Sequence, residues 1–469
     1  MKCIHKSVSM AAVSVAMILG ASQKSSALQG PCDILQAAGD PCGAALSTVR
    51  ALFGSYSGNL YQVRNANGGT KDIGVLSTGY VANSATQDAF CNGTTCTISK
   101  IYDQTGNGND LTKSAGGSAV YGPQPDLEAV ATALPIQLDG HRVYGVHVTP
   151  NNSWTGSIQV GYRHVGVGKG IATGDNPETI YEVIDGTYAN GACCFDFGNT
   201  ETAVVAGGYG SMEAIYFGTN TWWDYGVGGP NGGGPWIMAD LEVGVYNMGG
   251  SSNYSDANKN GNHLNSNDIS FTYPFVTAML KGNSKSAVGG GPFTLKGGNA
   301  QSGTLATVWD GAYPVGYSPM NRQGGVVLGT GGDNSGQSQG NFFEGVMTTG
   351  YASTATDALI QANIVAAGYG RTTTSIAGRG VRSVSPAIVS FDASRATALV
   401  GYSVENPSHV RIRVMDFQGR EVARIVDGEV SAGRHDATWD AKPMHSGIYA
   451  LVMDVEGSKV WSGNVIVGR

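Results

Sequence analysis

The feature that most narrows what this chain can fold into is its repeated use of short apolar or alternating runs cut by glycine. YGVHV (144–148), SIQVGYRHVGV (157–167), AIYFG (214–218), GVVLG (325–329) and FFEGVMTTGY (342–351) have strand length and glycine-rich borders. Helical patterns are few: CGAALSTVRALFGSY (42–56), after Asp40-Pro41, and TDALIQANIVAAGYG (356–370). Many short strands between Gly and Pro turns predict an all-β chain, a sandwich or a barrel. Although 71 of the 469 residues are glycine, 41% are hydrophobic, which excludes a disordered chain.

The texture changes along the sequence. Lys2 and Lys6 precede the apolar stretch MAAVSVAMILGA (10–21) and the small residues Ser25-Ser26-Ala27, so residues 1–27 read as an export signal. That stretch is too short to span a bilayer, and no later apolar run is long enough, so a soluble protein without a membrane span, secreted or delivered to the cell surface, is expected. RTTTSIAGRGVRSVSPA (371–387) has the composition of a linker. Beyond it, 388–469 carries alternating runs (HVRIRVMDF, EVARIV, IYALVMDV) between tight turns, the size of one small antiparallel sandwich. The long region 28–370 lies between signal and linker.

Cysteine usage fits export. With Cys3 in the signal, six remain, and spacing favours three local pairs: Cys32 with Cys42, Cys91 with Cys96, and Cys193 with Cys194. The last pair is unusual, because neighbouring side chains of extended chain point to opposite faces. No CxxC pair or histidine cluster supports zinc. Charged residues make up 13% of the chain and the net charge is −7, with Lys and Arg scattered, which argues against a nucleic-acid surface. Such a composition suits an extracellular protein that meets neutral polymers.

Carboxylates are the candidates for chemistry. GPWIMADLEVGV (234–245) reads as a strand with Asp240 and Glu242 on one side. Two acids on an apolar strand are costly unless paired or functional; a solvated sheet face is the alternative. Asp333, in GVVLGTGGDNSGQSQG (325–340), follows a strand in a glycine turn, where an Asx turn is the alternative. SDANKNGNHLNSND places Asp256, Asn258, Asn260 and Gly261 at calcium-loop spacing, but Asn267 stands where a bidentate acid is needed. No metal or other cofactor is expected. DQTGNGND (103–110) reads as a tight loop and GVGKG (166–170) lacks the P-loop pattern. His141 and His147 read as core or surface histidines on one strand face, and no GxSxG stretch with ordered triad partners is evident.

GPCDILQAAGDPC (30–42), SGNLYQVRNANGGTKDIGVLSTGYVANSATQDAFCNGTTCTI (57–98) and IYDQTGNGNDLT (101–112) closely resemble the start of glycoside hydrolase family 54 α-L-arabinofuranosidases. NGACCFDFGN (190–199), MEAIYFG (212–218), GPWIMADLE (234–242), LGTGGDNSGQSQGNFFEGVMTTGY (328–351) and QANIVAAGYG (361–370) continue the resemblance in the same order. It implies a concanavalin-like (jelly-roll) β-sandwich over 28–370 and a retaining exo-hydrolase of terminal α-L-arabinofuranosyl groups. By the same resemblance Glu242 is the nucleophile and Asp333 the general acid/base. Asp240 becomes a third acid holding sugar hydroxyls, Gly332 a sugar contact, and Cys193–Cys194 a vicinal disulfide lining the pocket. Glu242 must be ionised and is expected to gain hydrogen bonds to its charged form, whereas Asp333 must hold a proton near working pH.

The chain also departs from the family. Val243 stands where the family carries Asn, leaving Gly244 and the backbone to meet the sugar. Trp223, or Trp222, is the expected pocket tryptophan, in a lengthened loop, and 247–268 is expanded. The family's β-trefoil module is replaced by a segment that resembles bacterial C-terminal sorting or FlgD-like immunoglobulin-type modules, with Trp439 and Tyr449 as core aromatics. The implied partner is a plant cell-wall arabinose-containing polysaccharide, arabinoxylan or arabinan, attacked by a monomer that a secretion or cell-surface machinery handles through its C-terminal module. Two other readings remain: a non-catalytic carbohydrate-binding sandwich, and the same mechanism on β-D-xylosides or galactofuranosides.

Overall fold

The computed structural model describes residues 29–117, 124–151, 158–220, 224–225, 233–248, 265, 267–287, 292–371, 384–392, 396–404, 407–416, 420–431, 433–444, 447–455 and 458–467. The signal, Trp222, Trp223, most of the 247–268 loop and most of the linker lie outside these residues.

Two sheets stack face to face. One carries, side by side, Cys42–Ser47, Gly340–Thr348, Glu178–Ile184, Val276–Gly282, Phe293–Asn299 and Ala306–Gly311, with Val146–Val148 also on Gly340–Thr348. The other runs from Asp224–Tyr225 through Val245–Tyr246, Trp236–Asp240, Glu213–Gly218, Asp196–Thr200, Gly325–Leu328 and Tyr162–His164 to Leu111–Lys113, Cys96–Ile101, Asn59–Asn65 and Thr70–Gly74. Strand alternation decides what each face does. Phe195, Phe197, Ile215, Phe217, Ile237 and Ala239 enter the core between the sheets. Gly340 and Gly345 on the facing sheet make room for two of them: a Cβ there would sit 2.5 Å from the Phe195 ring and 2.4 Å from the Phe197 ring. The opposite face of the same strands carries Cys194, Tyr216, Met238 and Asp240. This is an all-β sandwich, as expected, with three helices among the described residues: Pro31–Ala38, Ser84–Phe90 and Thr354–Ala366.

One expected helix is a strand. Within CGAALSTVRALFGSY, Cys42–Ser47 pairs with Gly340–Thr348 (Ala45 opposite Val346), and Ala44, Ala45 and Leu46 are fully buried. A short apolar run serves a buried strand as well as a helix, and the partner strand decides. The helix lies earlier, opening at Pro31, where Asp33 accepts the Gly30 N–H at 2.7 Å. Thr354–Ala366 forms as a helix, capped by Ser353 Oγ on the Thr356 N–H (3.1 Å), but ends before Gly368, and Tyr369–Arg371 pairs with Pro135–Leu138. His141 and His147 occupy different strands rather than one face. His141 stands edge-on to Tyr80, and His147 Nδ1 lies 2.6 Å from Asn341 Oδ1.

Cys32–Cys42, Cys91–Cys96 and Cys193–Cys194 are all bonded. Beyond the linker, Val384–Asp392, Thr397–Val404 and Gly433–Asp440 form one sheet. Glu421–Val430, Ser408–Met415, Gly447–Val455 and Ser458–Val467 form another. They share a hydrophobic cluster of their own, with Val400, Ile412, Val414, Leu451 and Met453. Trp439 is buried there, edge-on to Tyr449, a core role rather than a sugar platform. No helix among the described residues is long and apolar enough to cross a membrane.

Candidate active site

The strand that carries Asp240 ends on it. Leu241 N–H donates to Gly244 O (3.3 Å), and left-handed backbone at Glu242 (φ 78°) and Gly244 (φ 100°) turns the chain back into Val245–Tyr246. Asp240 and Glu242 therefore do not share a strand face. Instead Asp240 Oδ1 accepts the Glu242 N–H at 2.9 Å, so the first acid braces the backbone of the second. Left-handed backbone at a non-glycine residue is strained, and such strain concentrates at functional sites.

Asp333 sits in a turn that closes on itself: Gly331 N–H donates to Ser335 O and Asn334 N–H to Gly331 O, each at 3.0 Å. The Asx turn is real, with Asp333 Oδ1 accepting the Ser335 N–H at 2.8 Å, while Oδ2 has no hydrogen-bond partner among the described residues. Gly332 meets the nucleophile candidate directly. A Cβ there would lie 2.7 Å from Glu242 Oε2 and 2.3 Å from Glu201 Oε2, so any side chain would displace the two carboxyls. The vicinal cysteines close the third side. Cys194 Sγ is 3.3 Å from Asp240 Oδ2 and 3.8 Å from Ser335 Oγ, and Cys193 Sγ is 3.9 Å from Asp240 Oδ2. Sulfurs bonded to each other offer no thiolate for a cation.

Val243 turns its side chain onto the main core, and its carbonyl accepts the hydroxyls of Tyr246 (2.9 Å) and Tyr317. Gly244 is buried in the same turn. Trp223 and Trp222 lie outside the described residues, as do Asp256, Asn258, Asn260 and Gly261. Asn267, at the end of that candidate calcium loop, donates its N–H to Asn265 Oδ1 (2.9 Å).

Two buried charged residues at the site escaped the sequence reading. Glu201, fully buried just after Asp196–Thr200, accepts the hydroxyls of Ser211 and Thr200 (3.1 Å for the latter). Arg163 is buried in a run read only as strand. Its Nη2 donates to the carbonyls of Gly331 (2.9 Å) and Gly332 (2.6 Å), and its Nη1 to Glu201 O (3.0 Å), so it holds the Asp333 turn against Glu201. A charge inside SIQVGYRHVGV was the available signal, since a buried guanidinium needs partners.

Four carboxyls thus converge near one guanidinium that spends its hydrogen bonds on carbonyls. Burial, then the charges of Glu201, Asp240 and Asp333, push Glu242 up to about 10, against one favourable hydrogen bond from Gly207 N–H (2.9 Å). Burial and the charges of Glu201 and Asp333 raise Asp240 to about 7, opposed by the Glu242 amide. Asp196, fully buried on the same layer, is held well above the carboxylate range by burial and by Asp240. The expected hydrogen bond to the ionised form of Glu242 is there, from Gly207 N–H, and burial and the neighbouring acids act against it.

The comparisons fit this geometry. Residues 31–370 match the family model described as alpha-L-arabinofuranosidase B, catalytic. The chain belongs to this family, glycoside hydrolase family 54. It is 49% identical to a probable alpha-L-arabinofuranosidase B of Aspergillus fumigatus over 346 residues, 72% of this chain and 62% of that protein. It is 48% identical to an arabinofuranosidase/B-xylosidase of Trichoderma koningii, over 72% of this chain and 63% of that one. The chain therefore spans less than two thirds of the length of these curated relatives. An arabinofuranosidase crystallised with arabinofuranosyl-alpha-1,2-xylobiose superposes with a TM-score of 0.66 at 39% identity, covering 80% of this chain and 74% of that one.

Proposed function

We propose that this family 54 chain is a retaining exo-α-L-arabinofuranosidase that removes terminal arabinofuranosyl groups from arabinoxylan or arabinan. The observation that carries the reading is the convergence of Glu242, Asp240, the Asp333 turn and the Cys193–Cys194 pair around Gly332. Glu242, as carboxylate, attacks C1 while Asp333 gives its proton to the departing glycosidic oxygen. Water then loses a proton to Asp333 and displaces Glu242 from C1, restoring both groups with retained configuration. The strain on Glu242's charge serves the first step, because positive charge developing at C1 relieves it. Asp240 holds sugar hydroxyls, and the paired sulfurs give one sugar face a rigid apolar wall. A non-catalytic binder would need neither an acid pressed against Gly332 nor a second with one oxygen left open.

Nitrophenol release from aryl α-L-arabinofuranoside, β-D-xyloside and β-D-galactofuranoside, by wild type and Glu242→Gln, tests this. Arabinofuranoside cleavage lost in the variant is expected; activity that survives moves the nucleophile to Asp240. No activity from folded, oxidised protein favours the binding module. The Trichoderma koningii relative's name keeps the xyloside as the second substrate to try. The basic–apolar–small pattern of residues 1–27 supports export, and 388–469 would serve delivery to the surface. Normal export of a chain lacking 383–469 in its native host would defeat the latter.

A further inference from the structure

The inference concerns Glu201 and rests on the arabinofuranosidase reading. Glu201 is fully buried, and its backbone carbonyl is fixed by Arg163. One carboxyl oxygen accepts from Ser211 and the other from Thr200. Its Oε2 and Glu242 Oε2 lie 2.3 and 2.7 Å from one point beside Gly332, so they are no more than about 5 Å apart. A single glycine touches both acids from the other side. Gly207 N–H donates to Glu242 Oε1 at 2.9 Å, while a Cβ on Gly207 would sit 2.4 Å from Glu201 Oε1. Ser211, which binds Glu201, also ties back to Gly208 O at 2.8 Å. The turn 207–211 therefore grips both acids at once.

We propose that Glu201 is a positioning residue for the nucleophile: with the 207–211 turn it fixes the Glu242 carboxyl beside Gly332, and its charge sets the pH at which Glu242 becomes reactive. The charges that face it are Glu242 and Asp240, both acidic, and Arg163, whose guanidinium hydrogen-bonds the Glu201 carbonyl rather than its carboxylate. Glu201 thus acts on Glu242 through space; among the described residues no salt bridge closes on its carboxylate, and Arg163 attracts it only at longer range. It opposes ionisation of Glu242 in the free enzyme and stabilises the cationic sugar once Glu242's charge is being consumed.

The test is the pH dependence of two reactions in wild type, Glu201→Gln and Glu201→Asp. One is kcat/KM on an aryl α-L-arabinofuranoside. The other is inactivation by an arabinofuranose 1,2-cyclic sulfate, in which a Glu242 oxygen bonds to C1 as the C1–O(sulfate) bond breaks. The sulfate stays on O2 as an anion, so this step needs no proton donor. Glu201→Gln is expected to move the acidic limb of both reactions down by about one pH unit. Glu201→Asp, which keeps the charge, leaves the limb near its wild-type position. A Gln variant that only scales the rate at every pH, or an Asp variant that moves as far as Gln, overturns the proposal. If the Gln variant does not fold, Glu201→Met, which also removes the charge at similar volume, decides: the limb is expected to move down as for Gln, and an unmoved limb overturns the proposal. Wild type inert in both reactions would instead defeat the arabinofuranosidase reading itself.

Discussion

Two clusters of buried charge in this molecule are built from the same residue types to opposite ends. Near Gly174, Arg322 lies between Glu178 and Glu213, with nitrogen–oxygen distances of 2.9 and 2.6 Å, and Tyr313 and the Asn176 carbonyl complete its bonds. There the guanidinium is spent on carboxylates. Around Gly332, Arg163 donates to carbonyls, and Glu201, Asp126, Glu242 and Asp333 share its charge at a distance. Both clusters are buried, and burial raises Glu178 in the first as it raises Glu242 in the second, but only in the first is the guanidinium ion-paired with both carboxylates. What separates a structural charge cluster from a reactive one is where its cation places its hydrogen bonds.

The comparison can be broken most decisively at Glu242. Glu242→Gln is expected to lower kcat on an aryl arabinofuranoside by about 10⁴-fold or more, with a thermal midpoint no lower than wild type, since a strained acid has been removed. Arg322→Met should do the reverse: it strands Glu178 and Glu213 and costs about 3–5 kcal/mol in denaturant unfolding, while activity per folded molecule stays near wild type. Equal losses of activity in both variants would erase the distinction.

Glu182 sharpens the contrast from a third position. It is fully buried between the sheets, neither oxygen has a hydrogen-bond partner among the described residues, and burial holds its pKa well above the usual glutamate value. A carboxyl whose folded pKa is raised contributes its stability below the unfolded pKa and loses it as pH rises. Glu182→Met should therefore stabilise by about 1–3 kcal/mol at pH 8 and by little at pH 4. Unfolding curves that differ equally at both pH values would contradict this. The smallest effect is on wild type itself: the acidic limb of kcat/KM should lie above the ordinary glutamate value of about 4.3, because Glu242 is raised. A limb below pH 4 would mean that the site supplies compensation from elsewhere.

Much of this was legible in the sequence, for identifiable reasons. The cysteine pairs followed from short spacing, and the sandwich from strand-length runs between glycines. The site motifs came from resemblance, and the structure gathers Asp240, Glu242, Gly332, Asp333, Cys193 and Cys194 in one place. The local pattern misled where a tertiary partner decided. Cys42–Ser47 became a strand because Gly340–Thr348 was there to receive it, and the strand to Asp240 stopped because Gly244 allowed a turn. Arg163 offered only its charge within an apolar run, because the carbonyls that fix its role belong to Gly331 and Gly332, well over a hundred positions away, and Glu201 stands in no pattern that one segment can show.

The pairing of Cys42–Ser47 with Gly340–Thr348 has a consequence for how the protein is made. During synthesis Cys42–Ser47 waits for some three hundred further residues before its neighbour exists. The pieces of the site are scattered through the same interval, from Arg163 to Ser335. A stalled or clipped chain that ends before Gly340 therefore has no seam to close, because the strand that receives Cys42–Ser47 has not been made.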